Sequence, residues 1–216
     1  MIGLSVVELL LLMGTATLAP MVFIAVRRTR KHSAYARWRS LLEEVAGALG
    51  GRVSAPHPNE APQLRAEMGG RTVTLTLDRF GPDPTRIRAL AQVALPDEDN
   101  LVRLYVGWDA PGAPPDFAHV PEQVITIPPG LDGRLRVQTE DSGLAEHFVE
   151  RAAVDLLDVR RETEARSIEV RVRGGYLTVN THGTRPTAPM LERTMRAAQR
   201  LSEEIHGISK DRSSHE

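Results

Sequence analysis

The chain has 216 residues, of which 41% are hydrophobic and 25% charged, and 27 Lys plus Arg against 28 Asp plus Glu leave a formal net charge of -1. That balance excludes a disordered chain, a polytopic membrane protein and a globally basic nucleic-acid binder. Cysteine is absent, which removes disulfides, thiolate metal sites and a cysteine nucleophile.

The first 26 residues carry 19 hydrophobic side chains and no Lys or Arg, and the 18 residues from Leu9 to Val26 carry no charge. As a helix rising about 1.5 Å per residue, that run spans about 27 Å, close to the ~30 Å of a bilayer's hydrocarbon core. Arg27, Arg28, Arg30, Lys31, Arg37 and Arg39 follow before the next acid, Glu43. By the positive-inside rule this flank faces the cytoplasm and the N-terminus lies outside; the same six cations suit anionic lipid headgroups. A cleaved signal peptide fits less well, because the positive charge is at the wrong end and Pro20 follows the one small-residue site, Ala19. A buried core helix would be amphipathic, whereas Leu9–Leu12 and Met21–Val26 are apolar on every side. The sequence therefore divides into an anchor at 1–26, a basic juxtamembrane segment at 27–40, a cytosolic domain at 33–207 and a polar tail at 208–216.

Within the domain, Trp38, Leu41, Leu42, Val45 and Leu49 recur at helical spacing before Gly50-Gly51. Gln63–Met68 and Arg71–Asp78 read as two strands turning on Gly69-Gly70, the second alternating strictly between threonines and apolar residues. Further alternating runs lie at Arg86–Leu95, Leu101–Trp108, Gln123–Ile127 and Arg134–Thr139, separated by clusters of Pro and Gly, and a meander is the natural connection. Asp141 or Ser142 caps a helix running to about Arg161. A second Gly-Gly hairpin joins Ser167–Arg173 to Tyr176–His182, and a last helix opens at Thr187, carries Pro189 in its first turn and ends at Gly207, leaving a frayed tail. Helices and strands do not alternate one for one. The predicted class is α+β, an antiparallel sheet with helices packed on one face, preceded by a single transmembrane helix.

No phosphate-cradling loop, His-Glu-x-x-His or Gly-x-Ser-x-Gly is present. His147 and Glu150 share a helix face but lack a third ligand in reach, so no metal and no cofactor is expected. His182 sits in a polar strand end, 180–185, with Arg185 beyond it; without a carboxylate near in sequence, turn chemistry accounts for those letters. His57 and His119 lie in proline-containing loops.

Arginine is the distributed feature. Arg86, Arg88, Arg103, Arg136, Arg171 and Arg173 fall opposite the apolar strand positions and so share the sheet's outer face, a candidate surface for anions or an acidic partner. Glu67, Asp78 and Glu169 lie on the same strands and are available to pair with them, and 25 of the 27 basic residues are arginine wherever they fall. Residues 41–216 hold 21 basic against 27 acidic residues, a balance that argues against nucleic acid. The expected protein is a bitopic inner-membrane protein of bacterial type. Its cytosolic domain serves as an interaction or accessory module for a protein partner still to be identified, and the alternative is an enzyme or anion sensor with a site assembled from distant residues.

Overall fold

The computed structural model describes residues 6–55, 60–79, 86–96, 103–109, 114–124, 135–163, 167–183 and 185–213. They form α1 (Val6–Leu49), β1 (Arg52–Ser54), β2 (Gln63–Met68), β3 (Arg71–Arg79), β4 (Ile87–Ala94), β5 (Leu104–Trp108), β6 (Leu135–Thr139), α2 (Ser142–Thr163), β7 (Ser167–Arg173), β8 (Tyr176–Gly183) and α3 (Ala188–Ser213). The protein is α+β, and its eight strands make one antiparallel sheet in the order β1-β2-β3-β4-β8-β7-β5-β6.

Alternation assigns the two faces. Val73, Leu75 and Leu77 stand opposite Val93, Ala91 and Ala89, which stand opposite Leu177, Val179 and Thr181, and those meet Val172, Val170 and Ile168. All twelve are buried. This is the inner face: α3 contacts β3, β4 and β8, α2 contacts β6 and β7, and the two helices pack on each other. Thr181 also approaches Thr194 of α3 at 3.5 Å between hydroxyls.

The expected meander holds only for β1 to β4. The neighbour of β4 is β8, because eight cross-strand pairs there keep the apolar row continuous, and β5 instead lies between β7 and β6. Both β6 and β7 run antiparallel to β5 and hence parallel to each other, so α2 acts as the crossover between them. With a strand on either side, β5 is buried along its whole length.

Local signals acted as their chemistry requires. Both Gly-Gly turns have positive φ at each position, 58° and 75° at Gly69-Gly70 and 56° and 76° at Gly174-Gly175. That is the two-residue turn whose twist matches paired strands. Asp141 caps α2 by accepting from the Leu144 N–H at 2.9 Å, and the Thr187 carbonyl accepts from Leu191 N–H at 3.0 Å as α3 begins.

Two sequence expectations need correction, and two short elements were not expected. The helix α3 does not stop at Gly207 but runs to Ser213, since Gly207 does not take the left-handed backbone that ends a helix and a single helical glycine costs only about 1 kcal/mol. The strand expected at Gln123–Ile127 is reduced to a bridge between Glu122 and Gln138, with 125–127 outside the described residues. Pro121, which has no N–H to give, lies at its start. The strand β1 is too short, at three residues, for alternation to reveal it. Part of the Pro-rich turn cluster forms a single 3-10 turn at Pro115–Phe117.

The chain divides into two compact units between Trp38 and Arg39. In the first, α1 carries a tilted contact between Tyr35 and Trp38 with ring centroids 5.4 Å apart. Most side chains of the Leu9–Val26 run, and those of the tail from Ile208 on, lie outside the described residues, and among the described residues no helix is long and apolar enough to cross a membrane. In the second unit the end of α1 buries Leu42 and Val45.

Two glycine substitutions should differ in sign for a backbone reason alone, since neither added Cβ would meet an atom within 4 Å. Gly70→Ala, at a φ of 75°, should cost about 1–2 kcal/mol, and Gly47→Ala, within α1, should stabilise by up to about 1 kcal/mol. Equilibrium denaturation of the two variants checks this.

Candidate functional site

The outer face is where the sheet departs from a simple wet surface. Its positions follow from register: Asp78 stands opposite Arg88 and Arg88 opposite His182, His182 meets Ser167, and one step along Asn180 meets Glu169 and Glu169 meets Gly107. A further step places Arg171 opposite Tyr105 and Tyr105 opposite Gln138. Polar groups thus stand in register across five strands, with charged side chains on β3, β4 and β7. At the centre these polar groups are buried, with Glu169 at 4%, Asn180 at 1% and Tyr105 at 0% exposure.

A buried carboxylate survives only if other groups replace its water. Arg171 donates from Nη2 to Glu169 Oε2 at 2.5 Å, and His182 Nε2 lies 3.7 Å from Oε1, longer than a formed hydrogen bond but close enough for charge to matter. Burial by itself raises the Glu169 pKa; His182 and Arg171 together outweigh it and hold the carboxyl below its ordinary value of 4.5. Tyr105 responds oppositely. Burial, reinforced by the Glu169 charge, pushes its hydroxyl up to about 12 against the opposing pull of Arg171 and Arg136, so it is a neutral phenol at any physiological pH.

Tyr105 owes its position to Gly107, two residues along the same face. A Cβ built on Gly107 would lie 2.5 Å from the Tyr105 hydroxyl and 2.9 Å from Cζ, so the ring occupies the space that a side chain would need. Phe117, with a ring centroid 5.7 Å away, and Val120 complete a small apolar cluster over Tyr105. The segment carrying them is fastened to the sheet by Asp116 to Arg173, by Glu122 to Arg136 at 3.1 Å, and by Gln123 Nε2 donating to the Thr139 carbonyl at 2.7 Å.

The structure sorts the sequence candidates. Of the outer-face arginines, Arg88 pairs with Asp78 at 3.0 Å, Arg103 approaches Glu140 at 3.9 Å, and Arg136, Arg171 and Arg173 pair as above; Arg86 is exposed just before β4. Glu67 accepts from the Thr72 hydroxyl instead of pairing with an arginine. Arg37 and Arg39 are exposed and Arg39 pairs with Glu43 at 2.9 Å, while the side chains of Arg27, Arg28, Arg30 and Lys31 lie outside the described residues. His57 also lies outside them, and Arg185 and His119 are exposed. Among the described residues no three His, Asp or Glu gather as a metal site, His147 and Glu150 included.

The carboxylate that His182 lacks along the sequence arrives across the hairpin as Glu169. Asn180 belongs to the polar strand end at 180–185 already marked in the sequence, whereas Tyr105 and Gln138 were not distinguishable there, where each is one polar letter on an alternating strand. A second polar grouping caps β5: the Arg160 guanidinium lies 4.4 Å over the Trp108 ring and bonds Asp109 at 2.7 Å. Asp109, at a φ of 50°, is the one non-glycine residue with positive φ among those described, and the ion pair helps hold that backbone.

Gly107→Ala should cost about 1–3 kcal/mol by displacing Tyr105, and most of that cost should vanish in a Tyr105→Ala background, measured as the coupling of a double-mutant cycle. The pKa directions set two pH limits. Because folding lowers the Glu169 pKa, its contribution is complete above the unfolded value and is lost as pH falls through the lower folded value; Glu169→Gln should flatten that acid limb. Because folding raises the Tyr105 pKa, stability should fall as pH rises from 10 to about 12, and Tyr105→Phe should remove that loss. Denaturation midpoints across pH read both. No protein family matches the chain, and neither does any curated protein.

Proposed function

We propose that this is a single-pass protein of the plasma (inner) membrane, its N-terminus outside, holding its α+β domain in the cytoplasm as an interaction or accessory module. One observation carries the reading: Met21, Val22, Phe23 and Ile24 are consecutive helical residues and each is 58–70% exposed. Successive helical positions are about 100° apart, so the four point to every side and no single packed neighbour covers them all. Each such side chain forgoes about 1.5–3 kcal/mol when left in water, a loss that hydrocarbon removes.

The uncharged run before these residues and the basic flank after them support the orientation. Exposed Arg37 and Arg39 support contact with anionic headgroups, worth about 1 kcal/mol for each cation near the surface. The interaction reading is supported by the mixed-sign ion pairs of Arg88, Arg103, Arg136, Arg171 and Arg173, since such surfaces select partners by charge complementarity. A second reading, a reactive or sensing site built from distant residues, is favoured by Glu169 beside His182, the pairing that proton transfer requires.

A reporter active only in the cytoplasm, fused after Glu216, should give signal, and the chain should resist alkaline carbonate extraction. Phe23→Arg with Ile24→Arg should shift it to the soluble fraction. Signal from a reporter active only outside the cytoplasm would overturn the orientation, and extraction of the unaltered chain would overturn the anchor.

A further inference from the structure

We infer that the β1 edge of the sheet is a docking surface for an extended acidic segment of a protein partner, which adds alongside β1 and sets its carboxylates against Arg52 and Arg65. This deepens the interaction reading above and rests on it, naming the surface and the chemistry of the partner.

The two ends of the sheet differ. At one end β6 is closed by the segment that carries Phe117: Glu122 bridges to Gln138, Gln123 N–H donates to the Val137 carbonyl at 2.9 Å, and Thr139 N–H donates to the Pro121 carbonyl at 3.2 Å. At the other end β1 pairs with β2, and among the described residues no strand or bridge lies on its far side. Arg52 and Ser54 are exposed there. Such an edge offers backbone N–H and C=O groups to an incoming extended chain.

Register places Arg52 directly opposite Arg65, and Arg65 opposite Thr74, on the outer face. Both arginines are exposed. Like charges directly opposite each other repel, yet among the described residues neither arginine has a carboxylate partner, whereas Arg88, Arg136, Arg171 and Arg173 each have one. Glu67, the next residue after Arg65 on this face, accepts instead from the Thr72 hydroxyl. An acidic side chain laid beside the pair turns the repulsion into attraction, and the planar arginine fork holds a carboxylate by two hydrogen bonds.

The pair is set in place before any partner arrives. Gly51 N–H donates to the Ala46 carbonyl at 2.9 Å, and a Cβ built on Gly51 would lie 2.8 Å from the Arg65 carbonyl oxygen, so only glycine lets the chain close onto β2 immediately before Arg52. Charge also selects the occupant. A second copy meeting this edge with its own would bring two arginine pairs together, and residues 41–216, with 21 basic against 27 acidic residues, repel an acidic chain from the rest of the domain. With three residues β1 offers few backbone bonds, so affinity depends strongly on salt.

The full chain in neutral detergent is titrated with three blocked, dye-labelled peptides of one length, alternating valine with glutamate, glutamine or lysine, and anisotropy is followed. Only the glutamate peptide should bind saturably, and raising salt from about 0.05 to about 0.5 M should weaken it roughly tenfold. Arg52→Glu with Arg65→Glu should transfer binding to the lysine peptide. Arg52→Gln alone should weaken the glutamate peptide several-fold with far-UV circular dichroism unchanged, and Arg196→Gln, on α3, should leave it as it was. N-methylation of the peptide backbone should abolish binding, since strand addition needs those N–H groups. The surface is refuted if the glutamate peptide does not bind, if binding survives N-methylation or a folded Arg52→Gln, Arg65→Gln variant, or if a thymidine oligonucleotide of equal charge binds more tightly. None of these results alters the carbonate-extraction and reporter outcomes, so failure of this edge is distinct from failure of the anchored module.

Discussion

The buried carboxylate of Glu169 constrains the centre of this fold more than any other group. At 4% exposure it must keep Arg171 and His182 beside it; Arg171 comes from two residues along the same strand, and His182 depends on the pairing of β7 with β8. A slip of one residue would turn Glu169 to the helix-packed face and bury a charge among Val170, Val179 and Leu177. The Gly174-Gly175 turn guards against that slip, because its two positive φ angles fix the hairpin at two residues. Apolar inner face and polar outer face therefore enforce the same register for opposite reasons. Breaking the Glu169 group by removing one partner falls in the class of changes that cost about 3–5 kcal/mol.

Around that centre, polar and apolar contacts share one side of the sheet. Gly107 leaves space that Tyr105 fills, Tyr105 receives Phe117 and Val120, and the segment bearing those two is held by ion pairs to Arg136 and Arg173. The exposed pairs are each worth about 1 kcal/mol or less. Their contribution is to fix a strap in place over an aromatic ring whose burial supplies the larger energy. The phenol, raised to about 12, stays uncharged beside the carboxylate and so does not add a second anion to the cluster.

Much of the architecture was readable in the residues. Strict alternation at Thr72–Leu77, the paired glycines, Asp141 and Thr187 at helix starts, and Pro189 in a first turn each act within a few residues, so they work before any tertiary contact exists. The failures are equally specific. Three residues of β1 carry no period, Gly207 resembled a stop until its backbone proved helical, and the interposition of β7 and β8 between β4 and β5 leaves no local trace. Of the candidate site, the strand-face arginines and His182 were legible, as was the availability of Asp78 and Glu169 as partners. Asn180 was legible as a member of the polar strand end at 180–185, but its burial and that of Tyr105 were not, because alternation places a side chain on a face without saying whether that face is wet.

The sequence by itself determined most of the elements, the two-residue turns, the division of the longer strands into an apolar and a polar side, and an uncharged N-terminal run followed by basic residues. These are short-range properties of chain stereochemistry and hydropathy. Tertiary structure alone decided the strand order, the meeting of His182 with both Arg88 and Glu169, and the burial of the polar side over β5, β7 and β8. Those depend on cross-strand pairing between residues 82 to 96 positions apart, as Ile87–Ala94 pairs with Tyr176–Gly183. Such pairing is selected by the continuity of the whole buried face, a quantity that no single segment contains.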